Sequence, residues 1–193
     1  MKKWMIGFMT TFTLITTGFA QTAPPVVAAT TQSAPYFVTL GEKFYGTPYL
    51  IGAPRYFTWN GKINPSFTGQ SFDCSSFTQY VAWMGLGVKL SGTSYDQGQK
   101  DGYFIPKSSL RSGDLVFFTT KDKASLPKGD PNRVGHVSLF AGYGDVMNGR
   151  FVPGGSYRPV MLEASTSAGV KCVYMDTAYW TNYYIASKRI VSW

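Results

Sequence analysis

Apolar positions in the first half of the chain recur at helical spacing, whereas in the second half they alternate or cluster as strands do. Phe37, Val38, Leu40, Phe44 and Tyr45 predict a first helix, with Ser33 or Gln32 as its cap, Pro35 in its first turn and Gly46 at its end. Thr47 to Gly52 reads as a turn into a short segment. Ala53 to Ser71, rich in Gly, Pro, Asn and aromatics without a period, reads as an ordered loop. A second helix starts at Cys74. Phe77, Tyr80, Val81 and Met84 give it an apolar face, Asp73 a capping carboxylate, and Gly85-Leu86-Gly87 a stop. Ser91 to Lys100 predicts a short third helix capped by Thr93 or Ser94.

Strands follow. Arg111-Ser112-Gly113-Asp114 is a turn, and Leu115-Val116-Phe117-Phe118 reads as a strand buried on both faces. After a basic loop from Lys121 to Arg133, Val134 to Tyr143 reads as a strand with Gly144-Asp145 as its turn. A glycine-rich loop to Tyr157 leads to three more strands, Val160 to Ala164, Val170 to Met175 and Tyr183 to Val191. Helices first and antiparallel strands after make an α+β single domain around one core, with no internal repeat.

The beginning of the chain has a different character. Lys2 and Lys3 precede an apolar run from Trp4 to Phe19, and Gly18-Phe19-Ala20 places small residues where a signal peptidase reads. The reading is a signal peptide over 1–20, cut after Ala20 with Ala29 as the second choice, and a Pro/Ala/Thr-rich tether over 21–35. The run is too short and too rich in Thr for stable membrane insertion. The expected location is therefore outside the cell, released or associated with the wall. Loss of two lysines lowers the net charge from +8 to +6, which favours anionic cell-wall polymers as partners, and no nucleic-acid module is present.

Cys74 is the residue around which chemistry gathers. Unpartnered N–H groups and the positive end of the helix dipole in a first turn favour a thiolate over a thiol. A cysteine nucleophile needs a base that holds its proton and returns it to the leaving amine. His136, at the start of a strand and sharing a face with Ser138 and Phe140, is the one histidine in the sequence. The base needs an orienter in turn. Glu163 is the acid in the apolar strand Val160 to Ala164, where burial without a partner is costly. One His and scattered acids offer no metal-ligand cluster, and no cofactor motif is present. An even cysteine count in a secreted chain leaves a Cys74–Cys172 disulfide open, although Cys172 alternates with Val170 and Tyr174 as a core residue does.

Tyr45-Gly46-Thr47-Pro48-Tyr49, Phe72-Asp73-Cys74-Ser75-Ser76, Ser112-Gly113-Asp114-Leu115-Val116-Phe117-Phe118, Gly135-His136-Val137 and Leu162-Glu163-Ala164-Ser165 resemble, in order, the motifs of the NlpC-type bacterial cell-wall cysteine endopeptidases. The resemblance runs through 36–193, the expected catalytic domain. It implies a papain-like fold with the cysteine helix packed on an antiparallel sheet. It also implies hydrolysis of peptidoglycan stem peptides, commonly at the bond between D-γ-glutamate and the diamino acid. A monomer without a cofactor is the expectation. By position, Cys74 resembles the nucleophile, His136 the base and Tyr49 the tyrosine near the active site, while Asp73 and Ser75 resemble groove-lining residues.

The sequence departs from the pattern in three ways. Glu163 stands where the family most often has His, which predicts an imidazole pKa shifted upward. Ser76 replaces a usual Gly and is expected to narrow the approach to Cys74. The loops Ala53 to Ser71, Lys121 to Arg133 and Val146 to Tyr157 are long and are expected to shape the groove. Two alternatives stay open at this point: the same Cys/His chemistry on another amide, such as poly-γ-glutamate or a toxin target, and a non-catalytic wall-binding module locked by a Cys74–Cys172 disulfide.

Overall fold

A computed structural model of the chain describes residues 35–191. The expected signal segment, all of the tether but Pro35, and residues 192–193 lie outside the described residues. Four helices and seven strands follow in the order α1 (Tyr36–Glu42), α2 (Cys74–Leu86), α3 (Ser94–Lys100), β1 (Tyr103–Ile105), β2 (Leu115–Phe118), β3 (His136–Met147), β4 (Arg150–Pro153), β5 (Arg158–Ser165), β6 (Gly169–Tyr174), α4 (Ala178–Tyr183) and β7 (Tyr184–Arg189). The strands form one antiparallel sheet in the order β1-β7-β2-β3-β5-β6, with β4 paired to β3.

Strand alternation sorts side chains onto two apolar layers. Leu115, Phe117, Val137, Leu139 and Leu162 face α1 and α2, where Phe37, Val38, Phe77 and Val81 meet them. Val116, Phe118, Phe140 and Met161 face the opposite side, with Trp180 and Tyr183 of α4 packed over them. The sheet is thus covered on both faces, and α2 lies against β3 and β5, the two strands that carry His136 and Glu163.

Helix α2 begins and ends where the residue pattern places it. Asp73 is the N-cap, Gly87 adopts a left-handed conformation after the last turn, and the buried face holds Phe77, Val81 and Ala82. Met84, expected on that face, is exposed. Helix α1 is shorter than expected. Pro35 is its N-cap, and Lys43 to Gly46 are turn residues rather than a further helical turn. Thr93 caps α3 through a bond accepted from the Asp96 N–H.

Gly144-Asp145 is not a turn: β3 runs straight through it, and the hairpin closes at Asn148-Gly149 against the unexpected strand β4. The glycine is there because strands come close. A Cβ at Gly144 would run into the Val152 carbonyl oxygen and the Phe151 ring. Strand β1 and helix α4 were also absent from the sequence expectation. Three residues are too few to show a period, and α4 is a run of aromatics with no apolar stripe.

Candidate active site

The capping chemistry of α2 fixes where Cys74 sits. The Ser76 N–H donates to Asp73 Oδ1 (2.8 Å), and the Asp73 N–H donates back to Ser76 Oγ (2.9 Å). This reciprocal pair is a capping box with serine in the place usual for Glu or Gln. Ser76 is fully buried in it, so the expected narrowing beside Cys74 does not occur; the hydroxyl is turned into the helix end. Cys74, one residue into the helix, has an N–H with no intrahelical acceptor.

Asp73 also ties the helix to its surroundings. Its Oδ2 accepts from the Gly52 N–H (3.1 Å) and pairs with Arg55 Nη2 (2.9 Å), while the Ser75 hydroxyl donates to Oδ1 (3.0 Å). Arg55 spreads its remaining donors over Ser75 Oγ (3.2 Å), the Gly92 carbonyl (2.7 Å) and the Ala53 carbonyl (2.8 Å). One guanidinium thereby joins the loop after Gly52, the start of α2 and the segment before α3. Sequence reasoning missed Arg55, because it lies in an aperiodic loop and its partners are distant in the chain.

Opposite the helix, His136 opens β3 and Glu163 lies on the neighbouring β5. His136 Nε2 is 3.1 Å from Glu163 Oε2 and 3.1 Å from Ser138 Oγ. A carboxylate only accepts, so Nε2 carries a proton, and Nδ1 is the ring nitrogen outside these two contacts. Both Glu163 and His136 are buried. Burial by itself lowers the imidazole pKa; hydrogen bonds and charges of Cys74 and Glu163 outweigh it and raise the value to about 10. The upward direction is the one expected from a carboxylate in this place. Trp180 stacks on the imidazole, with centroids 5.2 Å apart and planes 26° apart, and Phe118 packs on the same indole.

Tyr49 lies half-buried on the helix side of the site, bridged through its backbone to Phe72. Burial first, then the charges of Cys74 and Asp73, push its phenol up to about 12 against the opposing pull of Arg55, so it remains a hydrogen-bond donor. The structure therefore brings Tyr49, Asp73, Cys74 and Ser75 to one side and His136 and Glu163 to the other. Cys172 is elsewhere in the core. Both cysteines are free, which removes the disulfide-locked alternative. Cys172 is buried, its sulfur 3.9 Å from Glu42 Oε1, and burial followed by the Glu42 charge pushes its thiol strongly upward.

A thiol at the start of a helix packed on an antiparallel sheet, facing an imidazole backed by a carboxylate, belongs to the papain-like class of cysteine hydrolases. The NlpC/P60 family profile matches residues 54–189, and the chain belongs to that family of cysteine peptidases. Over 141 residues, or 72% of this chain, it is 31% identical to the murein DD-endopeptidase MepS/murein LD-carboxypeptidase of Escherichia coli (strain K12). The match spans 61% of that relative's length. It is 26% identical over 148 residues to the gamma-DL-glutamyl hydrolase of Bacillus subtilis (strain 168), covering 77% of this chain and 27% of that one. Among solved structures, an NlpC/P60 family protein from Bacillus cereus ATCC 10987 shares the fold, with a TM-score of 0.54 and 22% identity, over 84% of this chain and 42% of the other.

Proposed function

We propose that the protein is a secreted cysteine endopeptidase of peptidoglycan stem peptides, cutting between D-γ-glutamate and the diamino acid. The observation that carries this reading is the buried His136–Glu163 pair, 3.1 Å apart, whose imidazole is raised in pKa by hydrogen bonding and charge from both Cys74 and Glu163. His136 keeps the thiol proton, and the Cys74 sulfur attacks the scissile carbonyl. Backbone N–H groups at the start of α2, that of Cys74 included, are aimed at the developing oxyanion. His136 then delivers its proton to the leaving amine. Water, deprotonated by the same imidazole, hydrolyses the thioester and releases the acid product.

Glu163 fixes the ring and supports its positive charge, Tyr49 supplies a hydroxyl donor to the stem, and Asp73, which takes the one Ser75 hydroxyl proton, holds Ser75 and Arg55 in place behind Cys74. Family membership and the murein endopeptidase among the relatives support this substrate class. The reading includes export through residues 1–20, a monomeric enzyme and attraction of the basic mature chain to anionic wall polymers. A second reading keeps the same residues on a poly-γ-glutamyl amide, which the similarity to a gamma-DL-glutamyl hydrolase favours.

Digestion of purified cell walls, with mass spectrometry of the soluble fragments, tests the proposal. Stem cross-links opened at the γ-glutamyl bond by the wild type and left intact by Cys74→Ala are expected. Cleavage that survives Cys74→Ala, or fragments cut within the glycan, would overturn it, and release of oligomers from poly-γ-glutamate alone would select the second reading.

A further inference from the structure

We propose that a groove of about 930 Å³ beside α2 is a saccharide subsite that takes the N-acetylated amino-sugar chain to which the stem peptide is attached. The proposal rests on the stem-peptide reading above and extends it from the peptide to its carrier. One wall of the groove is the loop from Gly52 to Asn64, including a small hairpin bridged between Phe57 and Ile63. The other is the segment Lys89 to Thr93.

At the tip of that hairpin stands Trp59, 98% exposed. A single exposed apolar residue is ordinary on a protein surface; the way this one is mounted is not. The Phe57 N–H donates to the buried Gln79 Oε1 (2.9 Å), Asn64 Nδ2 donates to the Arg55 carbonyl (2.9 Å), and the Phe57 ring meets Trp83 edge-on at 5.1 Å. Lys89 Nζ donates to the Gly61 carbonyl (2.7 Å) and lies 4.6 Å from the centre of the Phe57 ring. Gly61 has φ near +79°, and a Cβ there would strike Lys89 Nζ. The indole is thus displayed on a hairpin pinned at its base, which reduces the entropy lost when a ligand is bound.

Chemistry selects the ligand class. Three cations line the groove and each is engaged: Arg55 with Asp73 and the Gly92 carbonyl, Lys89 with Gly61, and Lys100 with Asp96 at 2.6 Å. Two of the three are already neutralised by carboxylates, so a polyanion would meet a single uncompensated charge, that of Lys89. An uncharged sugar needs none of the three. Its C–H face stacks on an aromatic plane, and its hydroxyl and acetamide groups bond to side-chain amides such as Asn60, which lines the groove beside Trp59. Arg55 supplies the connection to the catalytic side. It lines the groove and also bonds Asp73 and Ser75, the two residues flanking Cys74. Arg55 is thus the residue shared between the groove that Trp59 borders and the start of the cysteine helix.

Chitotetraose, a β-1,4-linked tetramer of N-acetylglucosamine, is the probe. Titrated calorimetrically into the Cys74→Ala protein, it is expected to bind saturably. In that background Trp59→Ala is expected to bind about tenfold more weakly and Trp59→Phe to recover part of the loss, with melting temperatures unchanged. In the wild-type background, Trp59→Ala is expected to lower kcat/KM about tenfold more on a glycan-linked stem than on the same peptide without sugar. Absence of saturable binding, binding indifferent to Trp59→Ala, or equal losses on the two substrates would overturn the proposal. Saccharide binding by a protein that cleaves neither substrate would uphold this subsite and reject the peptidase reading instead.

Discussion

Glu163 Oε2 lies 3.1 Å from His136 Nε2, across two neighbouring antiparallel strands and inside the protein. A carboxylate in this place does more than orient a ring, because it also stabilises the ring's positive charge. Glu163→Gln preserves the shape and a hydrogen-bond partner while removing that charge. The expected result is a loss in kcat/KM of about 10² and a basic limb of the pH–rate profile displaced to lower pH. Steady-state assays across pH 5–10 on a stem peptide check both; an unchanged limb would show that Glu163 has no electrostatic part.

The same pair predicts how stability depends on pH. The His136 pKa is about 10 in the folded protein against an ordinary value of 6.5, so the native state binds the proton more tightly than the unfolded chain does. Its contribution is fully present below pH about 6.5 and is lost as the pH rises through about 10. Melting temperature followed by circular dichroism from pH 6 to 10 should decline over that window. His136→Gln should remove this component of the slope.

Trp180 closes the imidazole off from water on one face. Trp180→Ala opens that face, so the charge on the ring is better hydrated and its coupling to Glu163 is screened. Activity should fall about tenfold, with Trp180→Phe retaining most of it. The diagnostic readout is the His136 titration followed by NMR, which should move only in the alanine variant. Equal titration in all three proteins would reduce Trp180 to a packing residue.

Arg55 is a frame member whose fork geometry matters. Arg55→Lys keeps the charge but cannot reach Asp73, Ser75, Gly92 and Ala53 together. A stability loss of about 1–2 kcal/mol by urea denaturation is expected, together with a raised KM, since Ser75 and Asp73 beside Cys74 each lose one of their partners. A lysine variant as stable and as active as the wild type would show that one contact suffices.

The parts of the site that local chemistry specifies were readable from the residues. Asp73 before Cys74 announces a capped helix start, and an acid in a strand as apolar as Val160 to Ala164 announces a buried partner. What escaped depends on the third dimension. Ser138 shares a face with His136 in any strand, but its closeness to Nε2 follows only once Glu163 is fixed beside it. Trp180 gains its role from α4 folding under β2 and β3, and nothing in an aromatic run foretells which ring will meet the imidazole. Gly144-Asp145 carries the signature of a turn because the rule for turns is local. The true cause of the glycine is a backbone arriving from Val152, which the local window does not contain.

Cys172 gives the molecule chemical selectivity. Its sulfur is packed within the core beside Glu42, where a negative charge is disfavoured twice over, by the lack of water and by the neighbouring carboxylate. An alkylating reagent meeting the native protein should consequently attach once, at Cys74, and the second label should go on only after denaturation. The protein thus carries a second thiol without offering it as a rival target.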